Sequence, residues 1–241
     1  NCPAIAARLV GAGLGLDASS GVELELALRC GATDVVFSGP GKTEAELRLA
    51  VSHTGRVTVL MDSFSELERL NRVAMGSGVR MRAGVRLTTD ERGLWRKFGI
   101  PLADLARFFQ AADSSRAVRL CGLQFHTSWN LDPANHVAFL RRLGSALAGL
   151  DATHRAAIEF VDIGGGFWPQ EGEWLLPSAT AEGKLREAVL AAPKRPLCHH
   201  KLPASPIEEF AKQIADAART HLFPHVCCRV CVEPGRWICH G

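Results

Sequence analysis

The chain predicts an α/β fold, a (β/α)8 barrel of the TIM type, and three observations predict it. Short β-type runs alternate with longer helical patterns about seven times, at ~30 residues per unit, which implies parallel strands joined by right-handed crossovers. The length of 241 residues is close to the ~250 of one such barrel. The residues at the C-terminal ends of the expected strands, Asp17, Ser38, Asp62, Arg86, His126, Asp162 and Glu233, are polar, while the strand interiors are apolar. A barrel builds its site on that rim. The alternation alone fits an open doubly wound sheet equally well.

The elements follow in order. Pro3 to Val10 reads as a helix with proline in its first turn, where a missing N–H costs nothing. Leu14 to Asp17 is a short strand, preceded by Gly11-Ala12-Gly13, a helix stop and tight turn. That glycine cluster is similar to a dinucleotide loop but precedes its strand, so it lacks the geometry for phosphate. Ser20 to Cys30 is a helix ended by Gly31, with Glu23 three residues after Ser20 as in a capping box. Asp34 to Phe37 is a strand, and Thr43 to Val51 a helix with Glu46 completing a second box. Val57 to Met61 is a strand followed by the helix Ser63 to Ala74. Val79 to Val85 is a strand leading into a loop, Thr88 to Arg96, that ends in Lys97-Phe98-Gly99. Leu102 to Ala112 is a helix, Val118 to Phe125 a strand, and Pro133 to Leu150 a long helix. Ala157 to Ile163 is a strand running into Gly164-Gly165-Gly166. Residues 167–206, rich in Pro, His and Gly, form an irregular insertion or lid. Ile207 to His221 is a helix and Val226 to Val232 the last strand. The whole of 1–241 reads as one barrel domain.

Composition narrows the function classes. Hydrophobic residues at 47% and charged residues at 22% are ordinary for a globular protein. A net charge of +3, with its cations scattered, argues for neither nucleic acid nor a membrane surface as partner. No apolar stretch approaches the ~20 residues of a membrane span, and no signal peptide is visible. The start at Asn1-Cys2-Pro3, without Met, and the end at His240-Gly241 both read as cut edges. Eight cysteines in a chain this long make no disulfide scaffold. Most sit in apolar surroundings (Cys30, Cys121, Cys227, Cys231), where reduced cysteine behaves as a small hydrophobe, and they read as thiols of a cytoplasmic protein. Cys228-Arg229-Val230-Cys231 has the spacing of a zinc pair, but lies within an expected strand, where residues three apart face opposite sides. No metal site is expected. His199 and His200 carry no supported ligand role.

Two motifs carry chemistry. In Ile163-Gly164-Gly165-Gly166-Phe167 consecutive glycines let backbone N–H groups converge on an anion, commonly phosphate; a tight turn is the other explanation. In Glu233-Pro234-Gly235-Arg236 an acid could hold a proton on a ring nitrogen while the arginine pairs with a phosphate. A surface ion pair at a turn is the bland alternative. Trp129, Trp168 and Trp237 each follow a rim motif and either wall a pocket or cap the barrel.

Leu16-Asp17-Ala18-Ser19-Ser20-Gly21-Val22-Glu23, Gly39-Pro40-Gly41-Lys42, Lys97-Phe98-Gly99, Phe125-His126, Asp162 to Gly166 and Glu233 to Arg236 occur in one order along the chain. In that order and spacing the chain resembles the ornithine/diaminopimelate-type decarboxylases, which use pyridoxal 5′-phosphate (PLP) on an alanine-racemase-like barrel. The resemblance implies decarboxylation of a basic or diamino acid to an amine and CO2. It further implies that Glu233 holds the pyridine nitrogen protonated and that His126 stacks on the ring. Gly164, Gly165, Gly166 and Arg236 would bind the phosphate, with Ser128 a further phosphate ligand weakened by a missing glycine in His126-Thr127-Ser128-Trp129. Asp17 would lie near the Schiff-base nitrogen with Lys97 as its ion-pair partner. Arg82 would take the family's arginine place, with Arg86 competing for it.

The resemblance also implies a homodimer with a shared active site in the full-length protein. The family's Schiff-base lysine would precede Asn1 by about two residues, and its C-terminal β-domain would follow the last strand. None of Lys42, Lys97, Lys184, Lys194, Lys201 and Lys212 sits at a matching strand end. Two alternatives remain at this level. A PLP-dependent racemase of this fold often places arginine at the ring nitrogen, which Glu233 disfavours. A non-catalytic PLP-binding or regulatory homologue would need no lysine.

Overall fold

A computed structural model describes residues 2–90, 94–175, 181–190 and 196–239. Asn1, residues 91–93 of the loop before Lys97, Lys194 and His240 lie outside the described residues. In chain order the elements are α1 (Pro3–Gly11), β1 (Leu16–Ala18), α2 (Gly21–Arg29), β2 (Val35–Phe37), α3 (Glu44–Ser52), β3 (Val57–Met61), α4 (Phe64–Gly76) and β4 (Met81–Leu87). There follow α5 (Leu105–Asp113), β5 (Val118–Phe125), α6 (Ala134–Ala148), α7 (Ala152–Ala157), β6 (Phe160–Asp162), β7 (Glu173–Leu175), α8 (Ala181–Leu190), β8 (Cys198–His200), α9 (Ile207–Ala217), β9 (Arg229–Cys231) and α10 (Gly235–Ile238).

Side-chain caps start several helices where the sequence places them. The Thr43 hydroxyl accepts from the Glu46 N–H while the Glu46 carboxylate accepts from the Thr43 N–H, a complete capping box. The other Glu46 oxygen accepts from the Gly21 N–H at 2.7 Å, tying α3 to the start of α2. At α2 the box is displaced: Ser20 accepts from Glu23 N–H, but the Glu23 carboxylate reaches the backbone of Ser19 rather than Ser20. The helix expected over Pro133 to Leu150 stops at Ala148 with Gly149 as its C-cap, and the Arg155 guanidinium from α7 donates to the carbonyls of Leu147 and Leu150. Residue 157, expected to open a strand, closes a helix.

Seven strands form one parallel sheet in the order β1-β2-β3-β4-β5-β6-β9, and β7 and β8 make a separate antiparallel ribbon. Residues 167–206 are thus not irregular throughout; they carry that ribbon and α8. One contact decides between barrel and open sheet. Arg229 on β9 forms an ion pair at 3.5 Å with Asp34, which leads into β2. These strands are five places apart in the sheet order, so in an open sheet they would lie about 24 Å apart. The sheet is curled, and the pair spans its hollow face. Among the described residues no ladder joins β9 to β1, so the curl is an incomplete barrel.

The hollow face is layered. At the N-terminal ends of the strands, Arg82 and Arg119 both pair with Glu159. Above them Leu60, Cys121 and Phe160 pack with Val36 and Cys231 into an apolar plug. The plug fits because β4 and β5 present glycine there: a Cβ on Gly84 would lie 2.5 Å from Leu60, and one on Gly122 would lie 2.0 Å from the Phe160 ring. The main core fills the space between the convex face and the helices. Cys228 packs against that core and Cys231 against the plug, so the two thiols do face opposite sides. All eight cysteines are free. Among the described residues no group of three or more His, Cys, Asp or Glu could hold a metal ion, and no helix is long and apolar enough to cross a membrane.

Candidate active site

The third layer of the hollow face is polar and lies at the C-terminal ends of the strands. Asp17 sits in β1, Asp62 follows β3, Arg86 and Gln124 occupy β4 and β5, His126 follows β5, Asp162 ends β6 and Glu233 follows β9. Glu233 is held from several sides. Its Oε1 accepts from Gln124 Nε2 at 3.1 Å, its Oε2 lies 3.8 Å from His126 Nε2, and its N–H donates to the Gly164 carbonyl at 2.8 Å. Gln124 is 1% exposed and its Oε1 has no partner among the described residues.

The three glycines are spacers between neighbouring loops. A Cβ on Gly164 would lie 2.8 Å from His126, one on Gly165 2.1 Å from the Glu233 carbonyl, and one on Gly166 2.3 Å from the Thr127 carbonyl. Gly164 and Gly166 also adopt left-handed φ of 68° and 77°, which suits glycine. Gly164 N–H donates to Asp162 Oδ1 at 2.8 Å. Among the described residues the N–H groups of Gly165 and Gly166 have no protein partner.

Carboxylates outnumber cations in this layer. Burial, with Glu233 beside it, pushes the Asp162 carboxyl up to about 8. The same two causes raise Asp17 to about 7. Solvent reaches Asp17 through the open mouth although protein surrounds it, so water screens its repulsion more than that of Asp162, which is 3% exposed. Burial lowers His126 despite the opposing attraction of Glu233, which favours the neutral ring. The pH consequence has a definite sign. An unfolded aspartate releases its proton near ~3.9, whereas folded Asp162 keeps its proton to about 8. The fold binds the extra proton between these values, so stability falls as pH rises through that window. We expect the melting temperature to drop by several degrees between pH 5 and pH 8, and Asp162→Asn to flatten that drop. Parallel melting curves for the two proteins across this range would contradict it.

The structure brings together Asp17, His126, Ser128, Gly164, Gly165, Gly166 and Glu233. Ser128 Oγ stands 3.5 Å from His126 Nδ1. Arg236 stacks beside them, with its Cζ 4.8 Å from the ring centroids of both Trp129 and Trp168. Two expected residues lie elsewhere. Lys97 is exposed, with Nζ over the Phe98 ring at 5.1 Å, and makes no ion pair with Asp17 among the described residues. Arg86 is the cation that acts on Asp17. Arg82 pairs with Glu159 below the plug. Four residues of strand separate it from Arg86, roughly 13 Å, and Arg86 holds the rim, acting on Asp62, Asp17 and His126. Sequence reasoning missed Gln124, whose only signal was an amide inside an apolar run, Leu120 to Phe125. Lys42 is fully enclosed: Nζ donates to the carbonyls of Gly39 and Leu60 and pairs with Glu66 at 3.5 Å. It is a structural tie between loops.

The family model described as pyridoxal-dependent decarboxylase, pyridoxal binding domain, matches residues 2–240. The chain belongs to this family. Diaminopimelate decarboxylase of Bacteroides thetaiotaomicron is 31% identical over 167 residues, covering 64% of this chain and 43% of that protein. The diaminopimelate decarboxylase of Actinosynnema pretiosum subsp. auranticum is 34% identical over 178 residues, covering 67% of this chain and 40% of that protein. In fold the chain is similar to Helicobacter pylori diaminopimelate decarboxylase crystallised with L-lysine, with a TM-score of 0.75 at 21% identity over 98% of this chain and 54% of that one. The chain therefore spans about two fifths of the length of these curated relatives.

PLP is the cofactor of this pyridoxal-dependent family, and the residues present suit it at both ends. The carboxylate cluster is short of positive charge, as Asp17 and Asp162 register, and a protonated pyridine nitrogen would relieve it. At the other side, among the described residues, Gly165 and Gly166 N–H and the buried Trp168 Nε1 have no hydrogen-bond partner, beside Arg236. That donor set suits an anion such as phosphate.

Proposed function

We propose that this chain is the cofactor-holding barrel of a PLP-dependent decarboxylase that converts a basic or diamino acid to an amine and CO2. One observation carries the reading: Glu233, held by Gln124 and beside His126, lies at the centre of an acid-rich rim. When bound, PLP supplies an electron sink for the pair left on Cα as the carboxylate departs. Glu233 keeps a proton on the ring nitrogen, and the Gln124 amide fixes its orientation. The neutral His126 ring offers a flat face for stacking. Gly165 and Gly166 N–H, with Arg236 and Ser128, hold the phosphate. Asp17 and Arg86 stand at the mouth, where substrate charges arrive. Glu233 is the specific feature that favours decarboxylation over racemisation, because a protonated ring is the stronger sink.

The same reading makes the whole protein a cytoplasmic homodimer with a shared site, in keeping with eight free thiols and the family resemblance. Residues 167–206 are its insertion or lid, since their ribbon stands apart from the main sheet. The test is CO2 release by the whole protein with PLP from ornithine, lysine, arginine and diaminopimelate, in L and D forms. Release from at least one supports the assignment. No release from any rejects it.

A further inference from the structure

Asn130 joins two loops of the rim, and the chemistry above gives it no part. It is 1% exposed. Its Nδ2 donates to the Gly165 carbonyl at 3.3 Å, to the Thr127 carbonyl at 3.2 Å and to Thr127 Oγ1 at 3.0 Å. Its N–H donates to the Gly166 carbonyl at 2.9 Å, and its carbonyl accepts from Trp168 N–H at 3.1 Å. Helix α6 backs this hub: Asn135 Nδ2 donates to Asn130 Oδ1 at 3.0 Å, and Nε2 of the buried His136 stands 3.4 Å from Thr127 Oγ1. The preceding residue, Trp129, is the one described non-glycine residue with a left-handed backbone, φ 60°. Such strain persists only where the surroundings over-determine it, and the bonds of Asn130 do so here.

A trans peptide is planar, and its C=O and N–H point to opposite sides. Fixing a carbonyl therefore fixes the direction of the next residue's N–H. Glu233 N–H holds the Gly164 carbonyl at 2.8 Å, which turns Gly165 N–H away from the loop after β9. Asn130 Nδ2 holds the Gly165 carbonyl, which turns Gly166 N–H away from the loop after β5. Among the described residues neither N–H has a protein partner. We propose that Asn130 is a positioning residue that presets the Gly166 N–H for the phosphate of the cofactor. The inference rests on the assignment of the Gly165 and Gly166 N–H groups to that phosphate. Asn130 acts through the Gly165–Gly166 peptide and not by touching the ligand. A peptide between two glycines has wide conformational freedom. With its carbonyl already held, that freedom is lost on folding rather than on binding, and the anion is bound more tightly.

The test uses the whole protein freed of cofactor and compares pyridoxine 5′-phosphate with pyridoxine, which lacks the phosphate. Neither has an aldehyde, so binding reports noncovalent contacts alone. Calorimetry gives affinities for the parent protein, Asn130→Leu, Asn130→Ala and Asn135→Ala, each checked for folding by its melting curve. The two Asn130 variants remove the Nδ2 donor and keep the backbone groups that bind Gly166 and Trp168. Asn135 is exposed, so Asn135→Ala spares the core and removes only the bond that orients the Asn130 amide. We expect the Asn130 variants to weaken the phosphorylated ligand about 10-fold, the low end of one hydrogen bond to a charged group, and to leave pyridoxine unchanged. Asn135→Ala should give the same selective loss at about 2- to 3-fold. If the parent protein binds both ligands equally well, the phosphate assignment fails and the inference with it. If the parent prefers the phosphorylated ligand and the folded Asn130 variants keep that preference in full, or lose both ligands alike, the role of Asn130 alone is overturned. Should neither Asn130 variant fold, Asn135→Ala decides: a selective loss supports the role, and an equal loss or none overturns it.

Discussion

Glu233→Gln in the whole protein is expected to lower kcat/KM for decarboxylation about 10²- to 10³-fold, the usual cost of removing one preorganised electrostatic partner of the transition state. The substitution keeps the size of the side chain and an oxygen to accept from Gln124 Nε2, now 3.1 Å from Glu233 Oε1. What it removes is the negative charge that keeps a ring proton in place. The same change should not harm folding. Glu233 is a cause of the raised carboxyls of Asp17 and Asp162, so its neutralisation relieves repulsion, and the melting temperature at pH 8 should hold or rise. Lost activity with retained stability separates a chemical role from a structural one. Full activity in Glu233→Gln would sink the proposed sink mechanism.

Gly166→Ala should be strongly destabilising. The new Cβ would lie 2.3 Å from the Thr127 carbonyl, 2.9 Å from Asn130 Nδ2 and 2.9 Å from Ser128 Cα. These neighbours cannot retreat independently. Asn130 Nδ2 already binds Thr127 O and Oγ1 and Gly165 O, and the Asn130 N–H holds the Gly166 carbonyl. The left-handed φ of 77° adds strain for any side chain. Together these place the destabilisation at about 3 kcal/mol or more, or roughly 6–12 °C in melting temperature for a domain of this size. Gly235→Ala is the control: nothing lies within 4 Å of its Cβ position, so it should melt within about a degree or two of the parent chain. Equal melting temperatures for the two variants would show that the loop after β5 yields more easily than its hydrogen bonds suggest.

Much of this site was legible without coordinates, and the legible part is local. A glycine triplet after an acid, an acid with an arginine three residues on in Glu233-Pro234-Gly235-Arg236, and a histidine after a strand are contiguous signals. The strand termini that carry them follow from short apolar β-type runs that alternate with helical patterns. Arg86 was legible as a rim residue from its place at the C-terminal end of the strand, but the partner of Arg82 was not: Glu159 lies 77 residues away and pairs with it below the plug. The separation of Asp17 from Lys97 was not legible for a related reason: Asp17 lies in β1 and Lys97 after β4, and Lys97 Nζ packs over the Phe98 ring. Gln124 was hidden because its partner lies 109 residues away.

The amino-acid sequence by itself determined the alternation of strands and helices, the Thr43–Glu46 cap, the polar rim and the glycines between its loops. Each follows from the side chains of neighbouring residues, through backbone preference, hydrophobic period or a cap within one turn. Only the tertiary structure decided that the sheet curls, that Arg229 meets Asp34 across the hollow face, and that Arg82 pairs with Glu159 below the plug. It also decided that Trp129 stacks on Trp168 beside Arg236. These depend on strand register, a bulge between Ala83 and Gly84 and curvature summed over seven strands. Such quantities are set by contacts between distant segments, and no local pattern encodes them.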